Sequence, residues 1–557
     1  MHKNFIKISF FFILILTING CSGVSSKQEL IDRAGAPLLS GLGNHTHEIT
    51  SSEDGVQEYF DQGLILAFAF NHAESVRSFK AAQTLDPGCA MCFWGEALAL
   101  GPNINVTSNG KAVMSDSQRV GAFAALSKAR ELMMNSSAEE QAYIMALSSR
   151  YDGDVNSDRN ALDMAYAVAM EKVVTAYPDD MDAASLYSEA LMNTMPWNYW
   201  LDDGKPRLDT VKVISKLEEV LEKEPDHPLA IHLYIHAVEA SSSPERAESA
   251  ADRLGSLVPG AGHLVHMPAH IFWRVGRYHD ASEANINAAK VDEEYIAQCN
   301  AQGFYPAAYY PHNIHFLWAA STMEGRSELS IESALKVSKY VSLEQIKMFP
   351  TIEYFHTIPL LSYVRFGKWD EILNFPKPAP EFKYSQGIYH YARGIAYAAN
   401  GELEEARQEQ VQIIPLKDSE EVQVIIKGGQ PSGLLLDIAN ELLLGQIEFS
   451  KNNFSLASKY FVSAVDLQDT LPYTEPPFWY YPSRQSLGNS LMKEGKASAA
   501  ENVYKRDLKD YPRNGWSLYG LTLALKEQGK VKEAEEVHKK FKHIWQLSDI
   551  ELKASTI

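Results

Sequence analysis

Between His232 and His315 the sequence gathers eight of its histidines, and seven of them recur at helical spacing: His232, His236, His263, His266, His270, His312 and His315. Their steps of three and four residues keep side chains on one face of a helix. Neutral imidazole suits zinc, copper, iron and nickel, and a pair at i and i+4, as in His232/His236 and His266/His270, can give two ligands from one rigid helix. The expected chemistry is therefore a polyhistidine site for a transition metal such as copper, zinc or iron. Glu189 is a further ligand or support, with Asn193 one turn on. If three or four of these groups bind and one coordination position stays open, the ion can also catalyse. A pH-responsive or ligand-binding imidazole cluster, and plain structural use, stand as alternatives. Pro268 bends the helix that carries three of the rings.

Other histidines read differently. His227, beside Pro228, and His279, in a turn, are expected to be solvated, whereas His356 and His390 fit hydrogen-bonded core positions. His72 is ambiguous. Cys89 and Cys92 form a C-x-x-C at the start of a helix, where unpaired N–H groups favour thiolate. Residue 93 is Phe, so the c-type haem signature is absent, and with no second C-x-x-C a zinc ribbon is excluded. A short disulfide, a soft-metal site and free thiols remain open for this pair, while Cys299 is left over. Glu96 occupies a packing position, where a carboxylate must be functional or neutralised by a partner. Asp152, Asp154, Asn156 and Asp163 resemble the EF-hand calcium loop at its first, third, fifth and twelfth positions. The resemblance departs at Ser157, where Gly is usual, and at Asp163, where Glu is. A calcium site and a solvated turn are the two readings.

These side chains need a scaffold, and the apolar spacing supplies an all-helical one, with almost no strand-like alternation. Gly63, Phe79, Ala82 and Leu85-Asp86-Pro87 stand at the spacings of tetratricopeptide repeats. Pro225 and Pro259 lie 34 residues apart, and turns recur at Gly276, Gly325, Gly367, Gly401, Gly495 and Gly529. The chain thus resembles the tetratricopeptide-repeat (TPR) family over most of residues 55 to 545. The resemblance implies an all-α, TPR-like solenoid, a superhelical stack of helix-turn-helix units. It places His232, His236, His263, His266, His270, His312 and His315 on the first helices of three successive units, facing the concave groove. Neighbouring first helices lie about 8–10 Å apart, so rings at one level can converge. Cys89-Ala-Met-Cys92-x-Trp94-Gly95 and His266-Met-Pro268-Ala-His270-Ile resemble a bacterial branch of these proteins, and the resemblance implies fold but no chemistry. Two aromatic insertions, one holding Trp197, Tyr199 and Trp200 and one holding Tyr305, Tyr309 and Tyr310, could form a lid and walls for a small ligand, or simply pack on the solenoid edge.

The first twenty residues differ from the rest. Lys3 and Lys7 precede an apolar run from Ile8 to Ile18, too short to span a bilayer as a mature helix. Ile18-Asn19-Gly20-Cys21 resembles the bacterial lipobox, which implies cleavage before Cys21 and lipidation of that residue, with Asn19 a departure from the usual small residue. The expected organisation is a signal peptide over 1–20, a flexible tether over 21–52, a solenoid with the His-rich groove over 53–350, and further repeats over 351–557. The lipid would be the only membrane attachment, in the envelope of a bacterium and at its outer membrane. With 71 acidic against 51 basic residues and a net charge of -20, the chain repels phosphate backbones, so nucleic acid is not an expected partner. The H-E-x-x-H, G-x-S-x-G and Walker A motifs are absent. Two functions of different kinds follow: a metal-holding and possibly catalytic groove, or a scaffold for a protein or peptide of the envelope without metal.

Overall fold

The computed structural model describes residues 22–105, 107, 108, 111, 112, 114–201, 203–299 and 304–557. Cys21 and the lipobox lie outside the described residues. Antiparallel helix pairs follow one another along the chain, beginning with Val56–Phe68 against His72–Leu85 and ending with Gly515–Glu527 against Val531–Ile544. The fold is all-α and TPR-like, relieved by a short hairpin pairing Thr107–Ser108 with Lys111–Ala112. No described helix is long and apolar enough to cross a membrane.

The repeat register explains the pairing. Phe79 drives its ring between two first helices at Gly63 and Gly95, where an added Cβ would lie 2.9 and 2.2 Å from the ring. Tyr504 repeats the device between Gly488 and Gly520 near the other end. The turn glycines from Gly276 to Gly529 named above all adopt left-handed φ values between 65° and 83°, the conformation that ends a helix with its last carbonyls satisfied.

Two departures from the sequence reading shape the molecule. The stretch expected to be a flexible tether is a strap: after the Ser22–Ala34 helix, residues 36–50 lie bonded along the first repeats. Tyr59 donates to Ala36 O at 2.5 Å, Gly260 N to Gly41 O at 2.7 Å, and Thr50 N to Glu140 Oε1 at 2.7 Å. Polar, glycine-rich sequence is compatible with this because the bonds run through backbone groups; Gly43 comes so near that a Cβ would stand 2.5 Å from Leu257 O. The second departure is that the repeats before and after residue 350 share one apolar core, running from Ala34 to Ala534. The C-terminal repeats return onto the earlier ones: Trp516 Nε1 donates to Thr322 O at 3.1 Å, and Ser327 N to Asp549 Oδ1 at 2.7 Å.

The strap is clasped at one carboxylate. Asp182 accepts from His45 at 3.0 Å, His47 at 2.8 Å and His227 at 3.1 Å. His227 is thus buried, not solvated as its position beside Pro228 had implied, because the strap covers it. Burial pulls the His45 and His47 values down, but Asp182 prevails and raises both above the ordinary 6.5. Burial likewise works to raise Asp182, and the three imidazoles hold it well below the carboxylate range. The His contribution to strap stability is complete below about pH 6.5 and is lost as pH climbs through the raised folded values. The Asp182 contribution is present above about pH 3.9 and is lost as pH falls through its depressed value. Between those limits the strap is tightest. Protection of the Gly260 amide against hydrogen exchange, corrected for intrinsic base catalysis, is therefore expected to decline as pH rises above about 6.5 and through the raised values. Protection that stays level over that interval rules out the clasp.

Candidate metal centre

Three first helices carry the predicted histidines inward. The Pro228–Val238 helix holds His232 and His236, the Gly262–His266 and Pro268–Val275 segments hold His263, His266 and His270, and Tyr310–Glu324 holds His312 and His315. Pro268 has no N–H to give, so the middle helix breaks at Met267, yet His270 N still reaches Met267 O at 3.2 Å. The bend leaves His266 and His270 face to face. Six of the rings form two adjoining triads, each with ligand nitrogens within 4.8 Å of one another: His232/His236/His263 and His266/His270/His312.

In the second triad, His266 Nε2 lies 2.9 Å from His270 Nε2 and 3.2 Å from His312 Nε2. An ion about 2.0–2.1 Å from each imidazole nitrogen sets neighbouring nitrogens about 3.3 Å apart, so this spacing is already that of a coordination sphere. The other ring nitrogens determine what Nε2 can offer. Asn285 donates its amide to Ala281 O at 2.8 Å, which turns its Oδ1 toward His266 Nδ1 at 2.7 Å. His270 Nδ1 faces Glu239 Oε2 at 2.6 Å. Both Nδ1 atoms must donate, so in the neutral rings both Nε2 atoms present lone pairs to each other, an arrangement that needs a cation between them.

The first triad has the same logic with looser spacing. His232 Nδ1 donates to Phe68 O at 2.7 Å and His236 Nδ1 to Glu239 Oε1 at 2.8 Å. Their Nε2 atoms, and both ring nitrogens of His263, are buried with no hydrogen-bond partner. An unpaired buried polar atom costs about 1–3 kcal/mol, and a shared ion would satisfy three at once. Burial pushes His232, His263, His266 and His312 well below the ordinary imidazole value, which keeps their lone pairs free. His270 is the exception: against burial, Glu239 and Glu475 raise it to about 10. The cation between His266 and His270 can thus be a proton on His270 or a metal ion that displaces it.

Glu239 unites the two triads, one oxygen on His236 and the other on His270. Burial alone would raise its carboxyl, but the two imidazoles hold it low. Glu475 comes from the far side of the solenoid and lies 3.4 Å from His270 Nδ1, bonded to Tyr473, whose hydroxyl is 3.4 Å from Glu239. Arg274 packs over the Tyr473 ring and donates to the carbonyls of Glu239 and Ser241. Sequence reading missed these groups. Glu239 follows His236 by three residues and was legible as a same-face carboxylate; Glu475 sits in the aromatic, proline-rich 472–482 segment, which breaks the repeat but says nothing of what it meets.

Two predicted ligands stand apart. His315 packs against Trp318 at 5.4 Å between Tyr354 and Phe355, and burial pushes its value to about 3. Its step of three from His312 keeps the face approximately, but a ring aimed one helix further along meets the next repeat. Glu189 belongs to neither triad; burial pushes its carboxyl up to about 7 against the pull of Arg150 and Asn193. From the aromatic insertions, Trp197, 45% exposed, meets His236 edge-on at 5.1 Å, and Tyr309 lies 4.6 Å from His263.

The remaining expectations divide. Cys89 and Cys92 are joined as a disulfide, and Cys299 lies near Glu74 and Arg77. Glu96 pairs with Lys80 at 3.2 Å and accepts a hydrogen bond from Gln83 Nε2 at 2.8 Å. The calcium loop is corrected: Asp152 and Asp154 turn onto their own loop, accepting from Ser157 Oγ and Asn156 N, and Asp163 is enclosed by Arg150 and Arg159. No oxygens converge there for a calcium ion, because the twelfth-position carboxylate is committed to two guanidinium groups. His279 is half exposed beside Glu324, while His356 and His390 are half buried and bonded to Val341 O and Glu409.

No protein-family model and no curated protein matches the chain. Solved structures that resemble it include the human IFIT1 dimer with m7Gppp-AAAA (12% identity, TM-score 0.33, 89% of this chain and 91% of that one). Yeast Tom70 (12%, 0.29, 88% and 92%) and Cut9 in the APC/C Cut9-Hcn1 hetero-tetramer (13%, 0.25, 88% and 87%) are others. Fold and site together define a TPR-like α-solenoid with an enclosed polyhistidine core.

Proposed function

We propose that this protein is a lipid-anchored solenoid of the bacterial envelope that holds a transition metal at a buried histidine centre. The observation that carries the reading is the approach of His266 and His270 Nε2 to 2.9 Å while both Nδ1 atoms are committed to oxygen acceptors. Locking Nδ1–H onto an oxygen fixes the tautomer and raises the basicity of Nε2, as at known metal-ligating histidines. Copper, zinc and iron all suit imidazole. The Trp197 side chain over His236 is the natural lid, and a coordination position beneath it would make the ion available to a small ligand.

The test is metal analysis of the purified soluble body after anaerobic repletion with copper, zinc or iron. At least one ion per chain is expected, and a His266→Ala/His270→Ala variant of unchanged helicity should lose it. Sub-stoichiometric metal in the parent, or undiminished metal in the variant, rejects the centre. A second role, as a docking surface for an envelope protein, is favoured by the exposed apolar residues Leu343, Met348 and Phe349, at 46%, 66% and 62%. It uses the outer surface and is compatible with the first.

A further inference from the structure

Resting on that metal reading, we infer that the two triads hold one ion each and form a paired centre for two copper ions taken up in the monovalent state. Three observations lead there. Each triad is a complete set of three imidazoles and no ring is shared, although the Gly262–His266 segment gives one ring to each: His232, His236 and His263 on one side, His266, His270 and His312 on the other. The triads abut, with ring centroids 5.6 Å apart for His236 and His270 and 5.9 Å for His263 and His266. A single carboxylate, Glu239, orients one ligand of each.

Charge selects the ion. All six ligands are neutral when bound, so the groups available to compensate the ions are the carboxyls of Glu239 and Glu475, offset by the guanidinium of Arg274. Two monovalent ions leave one positive charge over when both carboxyls are ionised, the smallest excess that a pair of ions can leave. Two divalent ions would bury a large positive excess, with a penalty of several kcal/mol per uncompensated charge. Among transition metals that accept imidazole, copper supplies the stable monovalent ion, and three nitrogens without carboxylate suit its low coordination number. The tighter spacing of the second triad makes it the first to fill. In the first triad the Nε2 atoms of His232 and His236 and both ring nitrogens of His263 have no hydrogen-bond partner, so an ion there satisfies buried groups that nothing else meets.

Anaerobic loading of the full-length protein with Cu(I), followed by desalting, is expected to leave two copper ions per chain. His263→Ala and His312→Ala should each leave one, and the combined variant none. Oxidation of the loaded protein by ferricyanide, one electron per ion, should give a Cu(II) electron paramagnetic resonance signal broadened and split by dipolar coupling between the two neighbouring spins in the parent. Either single variant should give a signal without that coupling. One copper per chain in the parent, a His263→Ala variant that keeps the parental content, or a full uncoupled signal from the parent overturns the pairing. The first of these outcomes, with copper lost on replacing His312, leaves the single-ion reading intact; no copper at all removes both. The parental stoichiometry and signal need no variant, so they decide the matter even if a substitution impairs folding.

Discussion

Replacing Glu239 with glutamine is expected to weaken metal binding by about 10–100-fold, the effect typical of losing a carboxylate that orients a ligating imidazole. The reason lies in proton counting. The carboxylate accepts from both His236 Nδ1 and His270 Nδ1, and a glutamine amide can accept from only one of them. Its NH2 group would face the other Nδ1 and force that ring into the tautomer with the proton on Nε2, the atom that should bind the ion. Glu239 is 1% exposed, so water cannot make good the loss. Competition against a chelator of known affinity reads the change, with circular dichroism to show that the helices persist. Affinity equal to the parent's would mean that Glu239 is a packing residue and that the tautomer argument is wrong.

The largest effect on stability is expected at Asp163. Its carboxylate lies 2.8 Å from Arg150 and 2.9 Å from Arg159, with the side chains only 2%, 2% and 6% exposed for Asp163, Arg150 and Arg159. Asp163→Ala leaves two guanidinium groups buried without their counter-charge, and breaking a buried pair in this way costs about 3–5 kcal/mol. Arg150 also donates to Pro102 O and Arg159 to Arg150 O, so the loss spreads to the loop beyond Ala99. Chemical denaturation should show the drop at any calcium concentration. Recovery of the variant, or a shift of the parent, on adding calcium would instead revive the calcium loop that the structure argues against.

The legible part of this molecule was its periodic part. Glycine turns and small residues recur because each repeat solves the same packing problem, so the helix pairs and the inward face of six histidines could be read from spacing alone. Spacing failed where a contact joins distant positions. His315 obeys the same steps as its neighbours, yet its height in the stack sets it against Tyr354 and Phe355 of the next repeat. His227 looked solvated because nothing local announces that His45 and His47 will come to share Asp182 with it. The strap was taken for a tether because backbone hydrogen bonds leave little mark on composition. Asp163 resembled a calcium ligand because a loop motif records the oxygens and not the arginines that arrive from either side.

Tyr473 and Glu239, which meet at the centre, stand 234 positions apart along the chain. A ribosome will have finished all the histidine helices long before the segment bearing Tyr473 and Glu475 emerges. Until then Glu239 and His270 lack the hydroxyl and the carboxylate that Tyr473 and Glu475 bring to them. The centre is therefore completed only when the C-terminal repeats pack back onto the earlier ones, so its last polar partners depend on long-range folding.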